Sequence, residues 1–113
     1  MHELGIIEYI FTVIEQVADE NQLTTINSVT LKIGKLRQVV PDMMTFAFES
    51  VAKGTRADGA VLQLEQIPIR MKCHDCGTEF EVDDQSYVCP ECDGVKLETL
   101  TGKEVVLEAL NGH

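Results

Sequence analysis

The chain has 113 residues, of which 44% are hydrophobic, enough for one ordinary core or a small core carrying a metal-stapled appendage, and too few for two full cores. Nineteen Asp and Glu against nine Lys and Arg give a formal charge of −10, which repels phosphate backbones and excludes nucleic-acid binding. No apolar run reaches the ~20 residues that span a bilayer, and the chain opens directly into an amphipathic segment rather than a signal peptide. The expectation is a soluble cytoplasmic protein.

Leu4, Ile7, Ile10/Phe11, Ile14 and Val17/Ala18 recur every three or four residues, with Glu8, Glu15, Gln16, Asp19 and Glu20 falling between them. This pattern predicts an amphipathic helix of about four turns ending near Asn21-Gln22. His2 reads as lying ahead of that helix. From Ile26 to Ile33, Val29, Leu31 and Ile33 alternate with Ser28, Thr30 and Lys32, the pattern of a half-buried strand, which Gly34 stops. Pro41 suits the first position of a second helix, and Gly54 suits the left-handed residue beyond its end. Between them Met44, Ala47/Phe48 and Val51 form an apolar stripe. Met43, Met44, Phe46 and Phe48, being at helical spacing, are read as core rather than as a soft-metal or partner surface.

Asp58-Gly59 marks a turn, and Ala60 to Ile67 predicts a second strand closed by Pro68. After Thr101-Gly102, Val105, Val106, Leu107, Ala109 and Leu110 predict a third strand, which is stable only if it returns to pair with the first two. The expected fold is therefore α/β of the α+β kind, with two helices on a three-stranded mixed sheet. A small zinc-ribbon module is inserted before the last strand, so that residues 1–69 with 101–113 form one domain and residues 70–100 the other.

The inserted segment holds Cys73, Cys76, Cys89 and Cys92, two Cys-x-x-Cys pairs separated by twelve residues. A two-residue spacer lets both sulfurs of one turn reach the same ion, so the pairs are the two halves of a four-thiolate zinc site. Disulfides would suit a secreted domain, which a chain opening into an amphipathic segment rather than a signal peptide does not suggest; a redox pair would need one Cys-x-x-Cys opening a helix, which two facing pairs fit poorly. The segment supplies few large apolar groups and would not fold without metal. Arg70, Lys72 and Lys96 are outnumbered there by acids, so this ribbon lacks a nucleic-acid footprint.

The amino terminus, Met1-His2-Glu3, offers a second kind of site. The Met1 amine, the His2 amide nitrogen and the His2 imidazole can close fused chelate rings, a nitrogen-rich set suited to Ni²⁺ or Cu²⁺ in square-planar or tetragonal geometry. Glu3 would add an oxygen or a further amide nitrogen. The other reading of these residues is an exposed terminal histidine, with Glu3 favouring a helix N-terminus.

The whole chain resembles the HypA family of nickel-delivery proteins for [NiFe]-hydrogenase maturation. The resemblance rests on Met1-His2-Glu3-Leu4; Ile33-Gly34; Val39, Pro41 and Phe46-Ala47-Phe48-Glu49; Gly54-Thr55; Gly59-Ala60 with Leu62; Pro68; the cysteine pairs with Cys89-Pro90-x-Cys92; and Gly102-x-Glu104. It implies that His2 is the essential nickel ligand and that Glu3 and the terminal backbone nitrogens complete or tune the site. It further implies that the four cysteines hold structural zinc, and that the partners are the GTPase HypB and the hydrogenase large subunit, with urease maturation factors a further class. Nickel affinity should then fall as pH drops through ~6.5, the ordinary histidine value, since imidazole must be neutral to bind. One departure is that Cys92 is followed by Asp93-Gly94 where the family commonly has Gly directly. His74, inside the first pair, reads as a solvated loop residue that would replace a thiolate only if one dissociated.

Two other functions are compatible with the cysteines alone. One is a zinc-ribbon adaptor with His2 idle; the other is a rubredoxin-like iron electron-transfer protein, although the loop between pairs is short for that. An enzyme is not expected: Ser28, Ser50 and Ser86 lack a His/Asp arrangement, no glycine-rich phosphate loop is present, and a four-thiolate zinc has no open position for water.

Overall fold

The computed structural model of the chain describes residues 2–83 and 86–113, with His2 described in its backbone only. The elements run α1 (His2–Glu20), β1 (Ile26–Gly34), a 3₁₀ turn (Lys35–Arg37), α2 (Pro41–Ala52), β2 (Val61–Ile67), β3 (Ile69–Cys73), β4 (Glu79–Val82), β5 (Leu97–Thr101) and β6 (Val105–Gly112). They divide into two compact units, one of Met1–Lys32, Val39–Glu65 and Val105–His113, the other of Ile33–Gln38 and Gln66–Glu104.

In the first unit a sheet of order β2-β1-β6 accompanies the two helices. Ile7, Ile10, Phe11, Ile14 and Ala18 of α1 are buried as their spacing predicts, and the Phe11 ring meets that of Phe48 on α2 with centroids 5.4 Å apart. Val29 and Leu31 are buried on β1, as expected, and so is Ile33 of the same strand, which the second unit includes. Thr30 is buried too, because its hydroxyl donates to Gln63 Oε1 at 3.1 Å and so keeps a partner away from water. β1 and β6 run antiparallel, since Thr25 and His113 exchange backbone bonds while Ser28 faces Asn111 and Lys32 faces Glu108. The expected return of the last strand to the first is thus what forms. Arg56 joins the loop after α2 to the far end of α1, donating to Asp19 and to the Leu23 carbonyl at 2.7 Å each.

Two expectations about the helices are corrected. α1 is 19 residues long, about five turns, and its first residue is His2, which therefore lies in the first helical turn and not ahead of it. Apolar periodicity begins only at Leu4, so it could not report a turn carrying His2 and Glu3. On α2, Met44, Ala47, Phe48 and Ala52 are buried, but Met43 and Phe46 are 41% and 71% exposed, so the core reading fails for these two. A short helix lies on its core by one stripe, and residues 43 and 46 fall outside the stripe through 44, 47/48 and 52.

The second unit has a sheet of its own, with order β4-β3-β5 and both pairings antiparallel. Ile69, Met71 and Val82 form its small core, with Leu36, Phe80 and Leu97 around them. The period-2 alternations Ile69-Arg70-Met71-Lys72 and Glu79-Phe80-Glu81-Val82 are the local signal for these strands. Residues 33–38 belong here because Gly34 N–H donates to the Glu104 carbonyl and Leu36 N–H to that of Gly102, at 2.8 and 2.9 Å.

Candidate metal centre

The two cysteine pairs sit on turns with the same hydrogen-bond pattern. Cys73 N–H donates to the Thr78 carbonyl, and Gly77 N–H donates to that of Cys73, each at 2.8 Å. Cys89 N–H donates to the Gly94 carbonyl, and Asp93 N–H donates to that of Cys89, each at 2.9 Å. The fifth residue of each turn is left-handed, Gly77 at φ +79° and Asp93 at φ +59°. Glycine is the natural occupant of such a position and aspartate one of the tolerated substitutes, so Asp93 can hold this backbone where a glycine was expected. Gly94 acts differently, leaving space beside the sulfurs: a Cβ there would lie 2.9 Å from Asp75 Oδ2, 3.1 Å from Cys92 Sγ and 3.3 Å from Cys73 Sγ, crowding all three.

These turns bring all four sulfurs within 4.8 Å of one another. The nearest pairs, Cys73 with Cys92 and Cys76 with Cys89, are 3.6 Å apart, across the turns rather than within them. A disulfide would require ~2.05 Å, whereas a tetrahedron with Zn–S bonds of ~2.3 Å has edges of about 3.8 Å. The arrangement fits a four-thiolate zinc site. Cys73 and Cys89 are fully buried and Cys76 and Cys92 exposed, so the ion would be held between the inner and outer sulfurs.

The protonation of the sulfurs shows the same need for a cation. Thr78, through its hydroxyl 3.2 Å from Cys76 Sγ and its backbone N–H, stabilises the thiolate and lowers Cys76 to about 6. The Gly94 N–H does the same for Cys92, but the sulfurs of Cys73, Cys76 and Cys89, together with burial, outweigh it and push Cys92 up to about 12. One thiolate forms readily; further negative charge in the cluster requires a positive ion at its centre. His74 turns aside, its Nε2 2.8 Å from Glu98 Oε1, both exposed, which is the solvated reading of that residue.

At the other candidate site, His2 opens α1 and Glu3 is 7% exposed with Oε2 accepting the Val40 N–H at 3.0 Å. Val40 is the N-cap of α2 and lacks a side-chain cap bond of its own. Glu3 thus brings a carboxylate from the start of one helix to the start of another, where the dipole favours negative charge. Met1 lies outside the described residues. Among the described residues, the four cysteines are the group of metal-binding side chains that the fold brings together.

Residues 1–112 match the family described as hydrogenase/urease nickel incorporation, metallochaperone, HypA. The chain belongs to the HypA family. It is 37% identical over 110 residues to the hydrogenase maturation factor HypA of Rhodobacter capsulatus, covering 97% of each chain. It is 34% identical over 110 residues to that of Aquifex aeolicus, covering 97% of this chain and 96% of the relative. The solution structure of the nickel metallochaperone HypA from Helicobacter pylori shares the fold with a TM-score of 0.72 at 23% identity, over 99% of this chain and 97% of that one. A second HypA solution structure gives 0.73 at 24% identity, over 100% and 97%. As a HypA protein the chain is a nickel metallochaperone of hydrogenase maturation, and its four-cysteine site is that of a structural zinc. The adaptor and rubredoxin-like readings, which rested on the cysteines alone, leave the match of the remaining chain unexplained.

Proposed function

We propose that Ni²⁺ binds at the amino terminus, through the His2 imidazole and backbone nitrogens that include the Met1 amine, and is passed on by ligand exchange to the [NiFe]-hydrogenase large subunit. The single observation that carries this reading is the family match beginning at residue 1, taken with an α1 helix that starts at His2. The first N–H groups of a helix have no intrahelical acceptor, so the nitrogens of residues 2 and 3 can be given to a metal without breaking the helix ladder. A closed four-sulfur cage offers no such exchangeable position. The bond from Val40 N–H to Glu3 supports a contribution of Glu3 through its backbone nitrogen rather than its carboxylate.

In this reading the protein is not an enzyme. GTP hydrolysis is supplied by the partner GTPase HypB, the setting is the cytoplasm, and urease maturation factors are a second destination for the nickel. Residues 1–69 with 101–113 carry the nickel-binding function and residues 70–100 the zinc-binding function. No helix among the described residues is long and apolar enough to cross a membrane.

Titration of Ni²⁺ into untagged protein and into His2→Ala tests the site directly. The variant should lose the tight binding event; equal affinities would refute the proposal. Adding Gly-Ser before Met1 should weaken binding or alter the nickel absorption spectrum, and an unchanged spectrum would remove the Met1 amine from the ligand set.

A further inference from the structure

Beside the core and the amino terminus, the two helices leave an apolar surface whose largest side chains, Met43 and Phe46, are exposed. Met43, Phe46, Ala47 and Ser50 stand at i, i+3, i+4 and i+7 on α2 and, with Glu3 and Leu4 of α1, line an open groove of about 260 Å³. Phe46 and Met43 are the exposed pair on this face, whereas Met44 and Phe48 on the core face are fully buried. α2 therefore has two apolar stripes, one for the core and one toward solvent. The second has the spacing by which one helix reads another in a groove.

Charge decides what the occupant is. Neither α1 nor α2 contains a Lys or Arg. Glu8 follows Leu4 by one turn, and Asp42 and Glu49 flank Phe46 by one turn on either side, all three exposed. A second copy of the chain would bring the same acids and a formal charge of −10 to the same face, which opposes self-association. We propose that this groove docks an amphipathic basic helix of a partner protein. Its apolar ridge would lie on Leu4, Met43, Phe46 and Ala47, and its Lys or Arg residues would face Glu8, Asp42 and Glu49.

The probe is a fluorescent synthetic peptide of about 18 residues with Leu at i, i+3, i+4 and i+7 and Lys elsewhere, beside a twin carrying Glu in place of Lys. Both are titrated with the full zinc-loaded chain. The Lys peptide should bind with one-to-one saturation that weakens with salt, and the Glu peptide should not bind. Phe46→Ser should weaken binding roughly tenfold or more, as for an anchor at the centre of an interface. The double variant Asp42→Asn, Glu49→Gln should bind less tightly and with a flatter salt dependence. Val61→Ser, which alters an exposed apolar residue on β2, should leave binding unchanged. Equal binding by wild type and Phe46→Ser, or by both peptides, overturns the proposal. So does sedimentation showing a wild-type dimer that Phe46→Ser dissociates, since the face would then belong to a second copy. None of these readings involves nickel, so the outcome is separate from that of the amino-terminal titration.

Discussion

Glu3 and Asp93 show how much a single side chain's role depends on where the backbone places it. A carboxylate at residue 3 beside a terminal histidine reads as a metal ligand, yet in the fold it caps a helix 37 residues away, with Oε2 on Val40 N–H. Removing it should leave a helix N-terminus without its acceptor. Glu3→Ala is expected to lower stability by about 1–2 kcal/mol, and Glu3→Gln, which keeps an acceptor, by less; thermal unfolding of the zinc-loaded protein measures both. At position 93 the left-handed backbone should accept glycine and reject a β-branched residue. Asp93→Gly should bind zinc as wild type does, while Asp93→Val should lose roughly tenfold, since strain of about 1–2 kcal/mol falls on the turn that carries Cys89 and Cys92. A zinc competition assay with a chromophoric chelator separates the two.

Cys76 adds a pH dependence of defined sign. Its thiol is lowered, chiefly by the Thr78 hydroxyl and then by the Thr78 N–H, to about 6. A group held below its ordinary value contributes stability above that ordinary value, and the contribution is lost as pH falls through the lowered one. For the thiol held in this turn the window therefore runs downward from the ordinary thiol range to about 6. Zinc release on acidification of the zinc-loaded protein, followed with a chromophoric indicator, should begin at a higher pH in Thr78→Val than in wild type, since the variant's thiolate is protonated sooner. An unchanged onset of release in the variant would remove Thr78 as the cause.

At the scale of elements, the helices and the strands of the first unit were largely legible, because each buries one face and apolar periodicity reports that directly. What periodicity could not show was the first turn of α1, which has no apolar residue before Leu4, and the outward stripe of α2, where methionine and phenylalanine look the same whether they face the core or solvent. Between elements, Gly34 and Gly102 make an approach that the sequence does not disclose. Gly34 has an ordinary φ of −65°, so it is required for space and not for conformation. A Cβ there would stand 1.9 Å from the Gly102 carbonyl oxygen. Gly34→Ala should therefore push the end of β1 away from the turn at Gly102 and cost on the order of 1–3 kcal/mol, seen as faster amide exchange at Leu36, whose N–H donates to that carbonyl.

For the whole molecule the two units differ in what holds them. The first has helices packed through Phe11 and Phe48 and a core running along α1, β1 and α2. The second has, among the described residues and outside its cysteines, only Ile33 and the small cluster of Ile69, Met71 and Val82 as buried apolar residues. Structural zinc in small peptides contributes an apparent ~10–16 kcal/mol, far more than so small a core can supply. Chelation of zinc should collapse the amide NMR dispersion of β3, β4 and β5 while the helical circular dichroism of α1 and α2 persists. Loss of both signals together would show that the units are not held separately.

Sequence by itself determined the chemistry that local spacing can encode: four thiolates in two matched turns, a long amphipathic helix, a half-buried strand, and an amino-terminal motif that, with the order of landmarks, resembles one family. Tertiary structure decided which sulfurs approach across the turns, that Glu3 serves Val40, that Phe46 faces solvent, and that the cysteine segment has a sheet of its own. The reason is physical. Period and spacing are properties of neighbouring residues on one element, whereas each of these outcomes is a contact between segments that only the folded chain brings together.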